Sequence, residues 1–194
     1  MEDPLYVEDF MLDAINILLE TINEQPIIDP EDVAHIAEAQ QAQRKILEAK
    51  REILSQGWDF NTDHDWVFPL GVGGMIPVPT NVLDLTASRA DVIIRNQRLY
   101  SKSDQSHIFT EEVSADVVWD MDFNTLTHPL RRYVTLVAAN LFVKRTIADK
   151  VSIAYTKEDI QDAETNARRS ESRTGQYNML TSGMYGINNR VRSV

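Results

Sequence analysis

The chain contains no cysteine. Disulfides, thiolate metal sites and cysteine nucleophiles are therefore excluded together. That absence fits a reducing compartment, and it fits equally a particle that has to survive outside a cell. Long apolar runs are missing as well. The longest, Tyr133 to Val143, falls short of the roughly 18 residues a membrane helix needs, and Arg131, Arg132, Lys144 and Arg145 flank it. The opening Met1-Glu2-Asp3-Pro4-Leu5 is acidic and has no apolar core, so no signal peptide is expected. None of the patterns G-x-x-x-x-G-K, G-x-S-x-G or G-x-G-x-x-G occurs. Gly71-Val72-Gly73-Gly74 is the one glycine cluster. Met75-Ile76-Pro77 follows it where a phosphate cradle would need a helix, so it is read as a turn. No catalytic residue, metal site or cofactor is expected, and the chain is read as a non-enzyme.

What is present points to one folded chain. A hydrophobic content of 43% over 194 residues supports a core, and 25% charged residues argue against global disorder. The net charge of −11 is uneven. Residues 1–165 carry 29 acids against 14 Lys and Arg, whereas residues 166–194 carry five Arg against Glu171 alone. Such a body repels nucleic acid, while the tail could attract an acidic surface. A solvated or self-docking terminus is the plainer account of the tail.

Periodicity predicts helices at both ends and strands between them. Phe10, Ala14, Ile17 and Leu18 give a helical stripe from Val7 to Ile22, closed by Gln25 before Pro26. Asp29 as N-cap and Pro30 in the first turn open a second helix, expected to run to about Gln56. Ala39, Ala42, Ile46, Ala49 and Ile53 form its narrow seam, suited to close helix packing. Strands are expected at Asp65 to Leu70, at Asp91 to Arg95 and Arg98 to Tyr100 around Asn96-Gln97, at His107 to Phe109, and at Val113 to Trp119. Ile76-Pro77-Val78-Pro79 is extended and cannot be a central strand. A third helix is predicted from His128 or Pro129 to Lys150, apolar on most sides. A fourth begins at Thr156, with Asp159 as capping partner, and fades beyond Gly175.

The pivot is Gly57-Trp58-Asp59-Phe60-Asn61. Gly57 follows the long helical run as a left-handed stop. Trp58 and Phe60, two apart, are expected on one face of an extended segment, buried together. Other candidates are weaker. Asp59, Asp63, His64 and Asp65 have metal-ligand chemistry, but in a strand His64 points away from Asp63 and Asp65, so a polar loop is the stronger reading. His35, His107 and His128 are scattered. Asp116 and Asp120 are expected on a wet face. Arg44, Lys45, Lys50 and Arg51 are offset by Glu38, Glu48 and Glu52 and read as surface pairs rather than a phosphate footprint.

The order of these features resembles the head-to-tail adaptor of short-tailed phages (podoviruses), the tail tubular protein A or gatekeeper family. The resemblance is carried by Ala14-Ile15-Asn16-Ile17-Leu18 leading to Asn23-Glu24-Gln25-Pro26, and by Ile53-Leu54-Ser55-Gln56-Gly57-Trp58-Asp59-Phe60-Asn61. Asp91-Val92-Ile93-Ile94-Arg95, Leu130-Arg131-Arg132-Tyr133-Val134, Ala138-Ala139, Phe142 and Tyr177-Asn178-Met179-Leu180 continue it over most of the chain. The family's usual Gly after helix one is replaced by Asn23-Glu24, which puts that turn in question.

The resemblance implies an α+β fold: an α-helical bundle of three to four helices, an inserted small antiparallel β-sheet and an extended C-terminal tail. The expected parts are residues 1–56, the first bundle helices; 57–126, the sheet; 127–175, the remaining helices; and 176–194, the tail. It implies a virion protein, assembled in the host cytoplasm, that forms a twelve-subunit ring as head–tail connector. Its implied partners are the portal above, the nozzle of tail tubular protein B below, and tail fibres near that junction. DNA would cross the lumen during ejection without sequence-specific binding, and no membrane is involved. Gly57, Trp58, Phe60 and Asn61 are expected to act as a structural hinge. Arg168, Arg169, Arg173, Tyr177, Met179, Leu180, Tyr185, Arg190 and Arg192 are candidate contacts to the portal or a neighbouring subunit. Two other readings stand beside it. One is a nucleic-acid-associated regulator using the Arg-rich tail. The other is a hydrolase using Asp63-His64-Asp65.

Overall fold

The structure is a computed structural model that describes residues 9–146 and 154–188. Among the described residues the architecture is α+β, with four α-helices and small antiparallel sheets. By its internal contacts the chain divides into two compact units. The helical unit holds residues up to Lys50 and from Asp122 onward; the strand unit holds Arg51 to Met121.

In the helical unit, α1 spans Phe10–Glu20. It starts three residues later than periodicity suggests, because Asp9 is an N-cap whose carboxylate accepts from the backbone N–H groups of Met11 and Leu12 at 3.1 and 3.3 Å. At its end Asn23 adopts φ +59°. The Asn23 N–H reaches Glu20 O at 3.0 Å and the Glu24 N–H reaches Leu19 O at 3.1 Å, the paired bonds of a left-handed C-cap. Asparagine tolerates that region through its short polar side chain.

The second predicted helix is two pieces. Asp29 caps a short 3₁₀ turn, Pro30–Ala34, and α2 proper spans Ala37–Leu54. The His35 and Ile36 N–H groups both return to Asp32 O, at 2.9 and 3.1 Å, which tightens and ends the first piece. The Ala39, Ala42, Ile46, Ala49 and Ile53 seam is fully buried, as its spacing indicated. Lys50, read as a surface charge, is buried instead.

The third helix, α3, spans His128–Thr146 and packs against α1 and α4. Leu130, Val134, Ala138, Ala139 and Phe142 are buried along it, as a helix apolar on most sides requires. Its expected extension to Lys150 lies outside the described residues. The last helix, α4, spans Lys157–Asn188 and so continues past Gly175. Thr156 and Asp159 form a reciprocal cap: the Asp159 N–H donates to Thr156 Oγ1 at 3.1 Å, and the Thr156 N–H donates to Asp159 Oδ2 at 2.9 Å. The Thr156 hydroxyl also donates to Asp159 Oδ2 at 2.7 Å, and this bond first, with the Thr156 N–H second, holds the Asp159 carboxyl below its ordinary range.

The strand unit has β1 (Thr62–Phe68), β2 (Val82–Ala87), β3 (Val92–Arg95), β4 (Arg98–Ser101) and β5 (Val113–Trp119). One sheet has the order β1-β5-β2, and β3 pairs with β4; both are antiparallel. Asn96 and Gln97 both take positive φ, 52° and 54°, giving β3–β4 the tight turn whose twist suits a hairpin. β2 was not among the expected strands, and His107 to Phe109 forms only an isolated bridge, Ile108 with Met75. Ile76 to Val78 runs beside β4: the Leu99 N–H donates to Ile76 O at 3.0 Å and the Val78 N–H to Gln97 O at 2.9 Å. Pro77, without an N–H, sits where that ladder needs none from it. Phe68, Ile76, Val92, Leu99, Phe109 and Val117 anchor the buried cluster of this unit.

Candidate interaction surfaces

The pivot is a helix end capped by side chains. Gly57 takes φ +73°, and its N–H closes back to Leu54 O at 3.1 Å. In the usual glycine cap the next backbone N–H, here that of Trp58, would seal a further carbonyl of the helix. Here the Trp58 indole N–H takes that carbonyl, Ile53 O, at 2.8 Å. The Trp58 backbone N–H turns instead to Asn61 Oδ1 at 2.8 Å. Asn61 Nδ2 then donates to Leu54 O at 3.2 Å and to Trp119 O at 2.8 Å. Trp58 is 2% exposed and Asn61 is 1% exposed, so these bonds are made away from water, where a missing partner is costly.

Phe60 departs from its expected place. Asp59–Asn61 is a 3₁₀ turn rather than an extended segment, so Trp58 and Phe60 do not share a face. Phe60 is 41% exposed. The buried partner of Trp58 is Asn61, because the turn changes the period from two to three.

Two further asparagines work as Asn61 does. Asn16 accepts from the Ile27 N–H at 2.8 Å and donates to Ile27 O at 2.9 Å. Asn140 accepts from the Ala154 and Tyr155 N–H groups at 2.9 and 2.8 Å and donates to Tyr155 O at 2.8 Å. Each amide satisfies a donor and an acceptor of an irregular segment at once, its oxygen accepting while its nitrogen donates. An isolated Asn inside an apolar helical stripe is the only sequence signal for it.

The Asp63-His64-Asp65 group is spent on structure. Asp63 Oδ2 accepts from the Trp119 indole at 2.8 Å. His64 Nδ1 lies 3.2 Å from Asp116 Oδ1, and the Asp65 N–H donates to that oxygen at 3.1 Å. The latter bond, with His64 second, lowers the Asp116 carboxyl below its usual range. Asp65 takes φ +52° in a bulge of β1, which breaks the alternation assumed for the cluster. Among the described residues no group of three or more His, Asp or Glu is placed to hold a metal ion.

The tail candidates fall in three classes. Arg168 and Arg169 are exposed on α4, and Arg168 Nε pairs with Glu164 at 3.0 Å, one turn back. Arg173, Tyr177, Met179, Leu180 and Tyr185 lie within the backbone span of α4, and their side chains are outside the described set. Arg190 and Arg192 lie outside the described residues.

Two surface features had no sequence forecast. In the helical unit a pocket of about 310 Å³ opens between α1 and α3, walled by Ala14, Ile17, Phe123 and Leu136. Arg131 borders it, its guanidinium 3.6 Å from the Phe10 ring centroid and bonded to Leu126 O. In the strand unit, the Gly71-Val72-Gly73-Gly74 turn holds Val72 94% exposed, and Ile108 beside it is 64% exposed. Single exposed aliphatics are ordinary, but two together on a rigid turn form a contact point.

Among the described residues, the polar clusters singled out in the sequence are engaged in turns, caps and strand contacts. The family model of the tail tubular proteins matches residues 12–177, and the chain belongs to that family, a structural component of the phage tail. It is 32% identical over 117 residues to tail tubular protein A of Klebsiella phage KP34, across 59% of this chain. The match spans 61% of that relative's length.

Proposed function

We propose that this chain is the ring-forming head-to-tail adaptor, docked under the capsid portal and above the nozzle ring of tail tubular protein B. Twelve copies close around a lumen through which DNA leaves the head, and tail fibres attach near the lower junction. Assembly takes place in the host cytoplasm, and the chain performs no chemistry of its own. Membership of the tail tubular family carries this reading. The acidic body, 29 acids against 14 basic residues over 1–165, supports a conduit that does not retain DNA, since counterion release would reward basic walls. In this reading Gly57, Trp58 and Asn61 fix where the chain leaves α2 for the strands, and Phe60 is a contact rather than a core residue.

Native mass spectrometry and electron microscopy of the purified chain, alone and with the portal, test it. The expected result is a closed ring of twelve that binds the portal. A chain that stays monomeric alone and with the portal would overturn it.

A further inference from the structure

We infer that the Val72–Ile108 knob of one copy seats in the α1–α3 pocket of the next copy, as the anchor of the contact between neighbouring subunits. This rests on the ring reading and names the residues that close it.

The knob is built to be rigid. Gly73 and Gly74 take φ +71° and +76°. A side chain on Gly71 would lie 2.5 Å from Met75 O, and one on Gly74 would lie 2.7 Å from Phe109 O. The Phe109 N–H ties to Gly74 O at 2.8 Å, which locks Ile108 against the turn. Only glycine permits this turn, so Val72 is held outward before any partner arrives, and little ordering is left to be done on docking. Pro69 to Pro77 contains no charged residue.

The pocket is its complement. Its apolar walls are Ala14, Phe123 and Leu136, which are buried, and Ile17, which is 38% exposed. Arg131, Arg132 and His128 line it beside one acid, Asp13, and Arg132 also feels the charge of the Asp159 carboxylate. That is a basic rim on an acidic chain. The strand unit supplies matching charge: Glu111 and Glu112 are exposed and follow Ile108 within four residues. A knob on one surface and a pocket on another is a heterologous pair, and such pairs build rings when the rotation closes. An anchor seated in a pocket, ringed by contacts that exclude water, is the centre of a larger interface rather than the whole of it.

The absence of cysteine makes the test direct. Val72→Cys chains are mixed with Ile17→Cys chains under mild oxidation, so that a disulfide can join only two different chains. The mixture is expected to give the Val72–Ile17 cross-linked dimer about tenfold faster than either variant gives its homodimer, because docking raises the local thiol concentration. Val72→Asp should fold with the wild-type thermal transition, its position being exposed, and fail to form rings where the wild type does. If wild-type rings form but the cross-link is no faster in the mixture, or Val72→Asp rings still form, the contact is wrong and the ring stands. If the wild type forms no ring either alone or with the portal, the functional reading fails with it.

Discussion

Of eight described residues with positive φ, seven lie in the strand unit and one, Asn23, in the helical unit. The helical unit is shaped by side-chain seams: the alanines and isoleucine of α2, and Leu130, Val134 and Phe142 of α3, all buried. The strand unit is shaped by its turns at Gly57, Asp65, Asn96-Gln97, Gly73-Gly74 and Gln105. Helices generate their own backbone geometry and need only a buried stripe to pack. Short strands need turns to set their register, so left-handed residues gather there. The difference teaches where each unit is vulnerable: the helical unit at its core, the strand unit at its corners.

The largest expected effect tests both. Trp58→Ala in the strand unit and Phe142→Ala in the helical unit should each destabilise an unassembled subunit by about 3–5 kcal/mol in chemical denaturation. Phe60→Ala should cost less than about 1 kcal/mol, and a larger loss would restore Phe60 to the core. Gly74→Ala separates corners from cores. Positive φ and a Cβ 2.7 Å from Phe109 O predict about 2–3 kcal/mol, against about 1 kcal/mol at Gly57, where the nearest atom to a Cβ is 3.6 Å away. Equal losses at the two glycines would mean that crowding at Gly74 is relieved by backbone movement.

Asn140→Ala and Asn61→Ala compare the amide ties of the two units. Each should cost about 1–3 kcal/mol, with Asn61 the larger because it is fully buried. Hydrogen exchange at Ala154 and Tyr155, whose N–H groups Asn140 accepts, should accelerate in the first variant only.

The smallest effect is electrostatic. Asp91 accepts from Ser103 at 2.7 Å, from Ser101 at 2.8 Å and from Arg89 at 3.1 Å. These bonds, the Ser103 hydroxyl first, hold its carboxyl far below the ordinary range. Since the folded carboxylate gives up its proton more readily than the unfolded one, its stabilisation is complete above about pH 4, the unfolded value, and fades as pH falls toward the folded one. Asp91→Asn should therefore flatten the acid limb of the strand unit's stability profile. Asp159→Asn should do the same for the start of α4 in the helical unit. An unchanged profile in both variants would show that neither carboxylate is coupled to folding.

Helix positions were legible because burial repeats every three to four residues. Ala39, Ala42, Ile46 and Ala49, and the Thr156–Asp159 cap, needed nothing beyond local spacing. The Asn96-Gln97 hairpin was legible for the same reason, its geometry being local. Phe60 was misplaced because a single 3₁₀ turn alters the period, and the second helix was overextended because the break at His35-Ile36 carries neither Gly nor Pro. β2 was not among the expected strands although Leu83-Asp84-Leu85-Thr86 alternates apolar with polar; its pairing with β5 exists only in the fold.

By itself the sequence determined the helical seams, the missing thiol chemistry and the left-handed stop at Gly57, all set by interactions within a few residues. Only the tertiary structure decided that Trp58 seals Ile53 O, that Asn16, Asn61 and Asn140 tie irregular backbone, and that Val72 and the α1–α3 pocket stand open. A buried hydrogen bond between distant residues, like an exposed apolar surface, exists only once the chain has closed on itself, because both depend on what surrounds a side chain in space.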